Sequence, residues 1–151
     1  MGGELKIRSR RLPHWTIDGA LYFLTIRAYT VFNAVECQCI KEHIIQGSHN
    51  FYTLICCVIM PDHTHVILQP NAGIELKAIY SGIKGASARK INLMRNSHGQ
   101  IWQHESYDHI IRSGKELRQT VKYLANNPVE AGLVNETQDY IGWYYKSEII
   151  L

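Results

Sequence analysis

The chain has 151 residues, 46% of them hydrophobic, and a formal net charge of +3 at pH 7. This length predicts one domain, residues 1–151, with a single sizeable core. No apolar run approaches the ~20 residues of a membrane-spanning helix, and the basic start lacks the apolar stretch of a signal peptide. We therefore expect a cytoplasmic protein without a membrane partner.

The first half of the chain predicts three strands and one helix. Residues 1–13 are basic and predict a flexible lead-in. Residues 20–28 are rich in aromatic and β-branched side chains, which favours a strand, and residues 35–46 carry one apolar stripe at helical spacing. Residues 51–60 predict a buried strand, and residues 63–69 predict a strand that pairs back across a short turn.

The four cysteines do not match the spacing of a zinc finger. Two of them lie inside the apolar run of residues 51–60, where a free cysteine behaves as a small hydrophobic side chain. We therefore interpret all four as structural and reduced, namely Cys37, Cys39, Cys56 and Cys57.

The second half begins with a long amphipathic helix from Leu76 to Met94, followed by a strand over residues 101–111. The order β-α-β-β-α-β predicts an α+β, ferredoxin-like antiparallel sheet with helices on one face. Ser113 and Glu116 match a capping box that begins a C-terminal helix, and Pro128 predicts its end at the residue before it or one earlier. Residues 136–151 match no pattern.

Two histidines, His63 and His65, stand one residue apart where a strand is predicted to begin. Side chains alternate between the faces of a strand, so both imidazoles point the same way. Two imidazoles on one face can bind the same divalent metal ion. A polar turn before a strand produces the same short pattern, so the motif does not decide between a metal site and a turn.

A tyrosine in the C-terminal helix lies off the apolar stripe. At roughly 100° per residue, Tyr123 is about 130° from the centre of that stripe. Asn127 lies one turn further along the same side, and Thr120 one turn earlier. This arrangement predicts a polar strip that faces the sheet edge or a ligand, although an ordinary tyrosine with a packed ring and a solvated hydroxyl fits as well.

Basic residues cluster near the start of the chain and along the long helix. Nucleic acid is the natural partner of such a pattern, with aromatic side chains for base stacking, and the alternative is a set of solvated basic faces. Trp102 is one candidate for base stacking. The other candidate DNA-binding residues are Arg10, Arg11, Trp15, Lys84, Arg89 and Lys90.

Several ordered motifs resemble the single-tyrosine HUH transposases, in particular the branch of REP-associated tyrosine transposases. The matching segments are LPHWTIDGALYFLTIR, PDHTH, SARKIN, IWQHESYDHIIR and KYLANNPVEAGLV. They span about residues 10–135, and their order and separations are far more specific than two histidines alone.

The resemblance implies roles for four residues. His63 and His65 correspond to the histidines that hold Mg²⁺ or Mn²⁺, and Tyr123 corresponds to the nucleophile. Asn127 takes the place where insertion-sequence relatives carry a glutamine that completes the metal site. That departure leaves other candidates for the third ligand, namely Asp62, Glu105, Asp108 and His109.

The function that the resemblance implies is a metal-dependent endonuclease and strand transferase acting on single-stranded, hairpin-forming repeat DNA. Cleavage would produce a 5′-phosphotyrosine and a free 3′-OH. Insertion-sequence relatives work as dimers, sometimes with a shared site, so a homodimer is an open alternative. The competing interpretations are a non-catalytic nucleic-acid-binding module on the same fold and a metal hydrolase of a small substrate.

Overall fold

In the computed structural model the described residues are 7–8, for which only the backbone is described, and 19–146. Residues 7–8 of the predicted flexible lead-in form a short strand. The rest of that lead-in and the predicted DNA contacts of Arg10, Arg11 and Trp15 lie outside the described residues. Among the described helices, none is both long and apolar enough to cross a membrane.

Within the described residues, six strands form one antiparallel sheet in the order β1-β5-β2-β4-β3-β6. The strands are β1 (Ile7–Arg8), β2 (Leu21–Ala28), β3 (Tyr52–Ile59), β4 (His63–Pro70), β5 (Trp102–Ile111) and β6 (Trp143–Tyr145).

Three α-helices and one short 3₁₀ helix accompany this sheet in the described part of the chain. The α-helices are α1 (Ala34–Gln46), α2 (Leu76–Arg95) and α3 (Gly114–Glu130), and the 3₁₀ helix is Thr137–Asp139.

The central strand order β5-β2-β4-β3 is that of a ferredoxin-like sheet, which confirms the predicted fold class. The predicted elements agree with the observed ones to within one or two residues, apart from the end of α3. Two edge strands are additions to the predicted elements. β1 pairs with β5 and comes from the predicted lead-in, and β6 pairs with β3 and comes from the segment for which the sequence predicted nothing.

Two hydrophobic cores lie on opposite faces of the sheet. On one side, Tyr22, Leu24 and Ile26 of β2 are fully buried against α1 and α2, and we call this side the helix-pair face. On the other side, which we call the α3 face, Val121 and Leu124 of α3 pack against the sheet. The predicted arrangement, with two helices on one face and the tyrosine-bearing helix separate from them, is confirmed.

All four cysteines are free thiols, as predicted. Cys56 and Cys57 are fully buried and belong to the two different cores. Burial raises the pKa of the Cys57 thiol to about 12, so this group stays protonated and packs as a small apolar side chain.

The predicted end of α3 before Pro128 is wrong, because the helix continues through this residue. Proline has no N–H to bond the carbonyl four residues earlier in the helix. The two carbonyls that flank that position accept hydrogen bonds from side chains instead. Asn127 Nδ2 donates to the Tyr123 carbonyl and Thr137 Oγ1 donates to the Ala125 carbonyl, each at 2.7 Å. Pro128 is itself buried, so burial of its apolar ring also favours the continued helix.

Candidate functional site

The two histidines lie side by side on the α3 face, as the alternation predicted. A tight turn precedes them, closed by the hydrogen bond from the Met60 N–H to the His63 carbonyl at 2.8 Å. The ring centroids of His63 and His65 are 4.8 Å apart, with the rings nearly perpendicular. Neighbouring imidazoles at this separation are close enough to share one small ligand.

Each imidazole is held through its Nδ1 atom. His63 Nδ1 donates to Asp62 Oδ1 at 2.7 Å, and His65 Nδ1 and Thr25 Oγ1 on the neighbouring strand are hydrogen-bonded at 3.0 Å. In the tautomer that carries the proton on Nδ1, the Nε2 atom keeps its lone pair for a metal ion. Hydrogen bonds of this kind at Nδ1 ordinarily orient the ring of a metal-binding histidine.

His65 is a neutral base under ordinary conditions. Only 6% of the residue is exposed. Burial, followed by the nearby His63 and Arg27, lowers the pKa of His65 to about 3. A neutral imidazole is the form that binds a metal ion, so this donor is ready without losing a proton.

Tyr123 projects from α3 towards the histidines of the same chain. Its ring centroid is 5.9 Å from that of His65 and 6.3 Å from that of Phe23. Phe23 in turn contacts His65, with ring centroids 5.1 Å apart. The Tyr123 residue is 54% exposed, so its hydroxyl remains accessible to a large substrate.

Asn127 lies one helical turn beyond Tyr123, as the sequence predicted. Its Nδ2 atom donates to the Tyr123 carbonyl at 2.7 Å. This bond orients the amide, and its Oδ1 atom makes no hydrogen bond within the described residues. The structure therefore leaves an amide oxygen beside the tyrosine, although it shows no contact between Asn127 and either histidine.

The other candidates for a third ligand have different partners. Asp62 is engaged with His63, and His109 Nε2 is 2.7 Å from Glu116 Oε2 on α3. Asp108 is 1% exposed and lies on the helix-pair face, where Tyr80 donates to it at 3.3 Å. Within the described part of the chain, no three His, Cys, Asp or Glu side chains, those of Glu105 included, are grouped to hold a metal ion.

Arg27 is a residue of the site that the sequence did not reveal. Its Cα pairs with that of His63 across β2 and β4, so the two side chains share the α3 face. The Arg27 side chain is exposed, and its charge contributes to the low pKa of His65. Alternation along β2 places Arg27 on the face of Thr25, but only the pairing with β4 brings it to the histidines.

The candidate DNA contacts on α2 lie away from this site. Arg89 and Lys90 are exposed on the helix-pair side of the sheet. Lys84 Nζ donates to the carbonyls of Gln103 and His104 at 3.0 and 3.2 Å, and burial lowers the pKa of its ammonium. Lys84 therefore ties α2 to β5, and the predicted DNA-binding roles of Lys84, Arg89 and Lys90 stay predictions.

Trp102 is not placed for base stacking. It is buried in the helix-pair core, and its indole N–H donates to Ser87 Oγ at 2.9 Å. Its contribution is to packing between β5 and α2.

Comparison with known proteins gives one family and a consistent set of relatives. Residues 20–127 match the family described as "Transposase IS200 like". A Haemophilus influenzae protein named "Putative REP-associated tyrosine transposase" is 29% identical over 145 residues, covering 85% of this chain and 80% of the relative. The Escherichia coli REP-associated tyrosine transposase is 30% identical over 129 residues, covering 82% of this chain and 75% of the relative.

The fold also has a solved counterpart. A structure of a REP-associated tyrosine transposase bound to a REP hairpin superposes with a TM-score of 0.70 at 23% identity. The match covers 85% of this chain and 78% of that one. At this level of identity the likeness establishes the shared fold.

Proposed function

The chain belongs to the IS200-like transposase family, and on that premise we propose that it is a metal-dependent enzyme that cuts and rejoins single-stranded DNA through Tyr123. The observation that carries the proposal is that Tyr123 and the two histidines, which are far apart in the sequence, lie together in one chain. The Tyr123 ring lies 5.9 Å from that of His65, on an open face of the sheet.

We propose hairpin-forming repeat DNA as the substrate. The relatives are named as REP-associated transposases, and the solved counterpart is bound to a REP hairpin. The exposure of Tyr123 suits a polymer that lies across the sheet rather than a small molecule in a closed pocket.

The Nε2 atoms of His63 and His65 would hold a Mg²⁺ or Mn²⁺ ion, with the Asn127 amide oxygen as the proposed third protein ligand. Two neutral imidazoles and an amide add no negative charge to the ion, so its full attraction for a phosphate is kept. When bound, the cation would stabilise the negative charge that develops on the phosphate and on the leaving oxygen.

Tyr123 supplies the nucleophile. Its oxygen attacks the phosphorus in line with the 3′ oxygen, so that a new P–O bond to tyrosine forms as the P–O3′ bond breaks. The phenolic proton leaves to water, and the released oxygen takes a proton to become a 3′-OH. The 5′-phosphotyrosine keeps the energy of the phosphodiester, so a 3′-OH can attack it and rejoin DNA without a nucleotide cofactor.

Arg27 adds a second positive group beside the histidines. An exposed guanidinium binds phosphate oxygens through paired N–H donors. Because Arg27 stands opposite His63 on β2, we propose that it contacts the scissile phosphate or the phosphate next to it.

The test uses labelled single strands that contain the repeats flanking the gene, incubated with the protein and Mn²⁺. We expect a covalent protein–DNA adduct from the wild type, no adduct from Tyr123→Phe or His65→Ala, and an unchanged adduct from Tyr29→Phe. Tyr29 is a matched control because it is an exposed tyrosine whose ring makes no ring contact with His63 or His65. An undiminished adduct from Tyr123→Phe would remove the proposed mechanism, and specific binding without cleavage under any divalent metal would favour a non-catalytic DNA-binding module.

A further inference from the structure

An open depression of about 450 Å³ lies beside Tyr123, between α3 and the part of the sheet formed by β2 and β5. Its volume falls within the roughly 300–1,000 Å³ typical of small-molecule sites. Its lining runs along α3 from Tyr123 to Glu116 and does not include His63. The proposed metal chemistry does not account for it.

Three of the residues that line the depression are aromatic, and most of the others are polar. Phe23 and Tyr107 line it from β2 and β5, and both are half-buried on the α3 face. Tyr123 closes the end nearest the histidines and meets Phe23 edge to face. Aromatic side chains of this kind bind planar rings, because every base can stack on them whatever the sequence.

The far end of the depression is fixed by a hydrogen bond between two side chains. His109 Nε2 on β5 and Glu116 Oε2 on α3 are 2.7 Å apart. Burial raises the pKa of Glu116, but the hydrogen bonds from His109 and from the Arg112 N–H outweigh it and lower this pKa below its ordinary value. The carboxylate is therefore ionised, and an ionised carboxylate repels a phosphate but not an uncharged ring.

Gln119 lies one turn before Tyr123 on α3 and lines the same depression. Its side chain is exposed, and its amide makes no hydrogen bond within the described residues. Thr120, by contrast, already donates to the Glu116 carbonyl at 2.8 Å. The Gln119 amide thus offers a donor and an acceptor side by side, which is the pattern that pairs with the edge of a base.

We propose that this depression binds the nucleobase of a nucleotide adjacent to the scissile phosphate, stacked against Phe23 and Tyr107 and recognised at its edge by Gln119. The inference rests on the proposed function, since Tyr123 forms one wall of the depression and would also attack the phosphate. Gln119 is then a specificity-determining residue that selects the base at one position beside the cut.

The experiment measures base preference by binding, so that it does not depend on cleavage. A pool of hairpin oligonucleotides with randomised single-stranded flanks is mixed with the Tyr123→Phe protein without metal, and the bound strands are sequenced. We expect one flanking position to show a preferred base, and Gln119→Ala to reduce that preference about 10-fold at that position alone. Gln46→Ala is the matched control, an exposed helical glutamine on the helix-pair side.

The outcomes separate this proposal from the function it rests on. A flat profile at every flanking position, or a preference that survives Gln119→Ala or falls equally in Gln46→Ala, overturns the base-binding depression. Failure of the wild-type protein to form an adduct with Mn²⁺ overturns the strand-transfer mechanism, while a Gln119-dependent preference in the binding experiment would still establish the depression as a base site.

Discussion

At the scale of single residues, the site depends on the hydrogen bonds that orient its two histidines. Asp62 and Thr25 engage the Nδ1 atoms of the two histidines, so the orientation of each ring is set by a neighbour. Thr25 is the more informative of the two, because it belongs to a different strand and can be altered without changing the turn before β4.

We expect Thr25→Val to weaken Mn²⁺ binding about 10-fold, since partners that orient a ligating histidine typically contribute this much to affinity. Calorimetric titration of the folded protein with Mn²⁺ measures the effect. Thr64→Val is the control. Thr64 lies on the other face of β4, and its buried hydroxyl has no hydrogen-bond partner among the described residues.

Removing the Thr64 hydroxyl should leave Mn²⁺ affinity unchanged and raise the free energy of unfolding by about 1 kcal/mol, because an unpaired buried hydroxyl is costly. Equal loss of affinity in both variants would show that general loosening of the sheet, rather than the orientation of His65, controls the site.

Arg27→Ala tests the second positive group of the site. One lost phosphate contact on a single strand should reduce the slope of log affinity against log salt by about 0.7 and weaken binding similarly for all sequences. Fluorescence anisotropy of a labelled strand across a salt series measures this slope. Arg89→Ala removes another exposed arginine, from the opposite side of the sheet, and tests the separately predicted DNA contact of that residue. An unchanged slope in Arg27→Ala would contradict the phosphate contact of Arg27.

At the scale of elements, α1 and α2 are joined at one end by a partly buried ion pair between Glu36 and Arg95. Glu36 is 3% exposed and accepts hydrogen bonds from the Asn33 N–H and from the Arg95 guanidinium. Arg95 also donates to Thr30 Oγ1 and to the Val31 carbonyl. The pair therefore closes the start of α1 onto the end of α2 and holds the loop after β2.

Glu36→Gln should lower the free energy of unfolding at pH 7 by about 2 kcal/mol, the usual size of a hydrogen bond to a charged group. The hydrogen bond from Arg95 is the main cause that lowers the folded pKa of Glu36 below 4.5. The stabilisation is therefore complete above pH 4.5, the ordinary pKa of a glutamate, and is lost as the pH falls through the pKa of Glu36 in the folded protein.

Urea unfolding at pH 7 and at pH 3 measures this dependence, and the difference between wild type and Glu36→Gln should shrink at the lower pH. Glu42→Gln, at an exposed position of α1, should change stability little at either pH. A constant difference across the pH range would mean that the charge of Glu36 is not what stabilises the helix ends.

The elements were predictable because alternation and helical spacing are properties of neighbouring residues. The pairing of His63 and His65 and the outward position of Tyr123 follow from those two periods alone. The end of α3 was not predictable, because Thr137 caps a carbonyl twelve residues away. Likewise, the bond from Thr25 to His65 spans forty residues, and β6 has only three residues, too few to show an alternation.

At the scale of the whole molecule, one chain brings both halves of the site together. The two helices α1 and α2 cover one face of the sheet, and α3 lies on the other. The apolar residues of α3 pack into the core on that face, and Tyr123 is directed to His65. The His109–Glu116 pair near the start of α3 holds this orientation. Because His63, His65 and Tyr123 lie together within one chain, we expect the site to work without residues from a second copy, whether or not a homodimer forms.

A mixing experiment follows from this arrangement. Tyr123→Phe and His65→Ala each remove one half of the site, and mixing the two variants should not restore the covalent adduct, since no chain then carries both halves. Adduct formation on labelled single strands with Mn²⁺ is the measurement, and each variant mixed with wild type shows that neither inhibits an intact site. If the site were shared between two chains, a mixed pair would combine an intact tyrosine with intact histidines and the adduct would return. Its return would therefore overturn the one-chain site, while its absence, with normal wild-type activity in the controls, would support it.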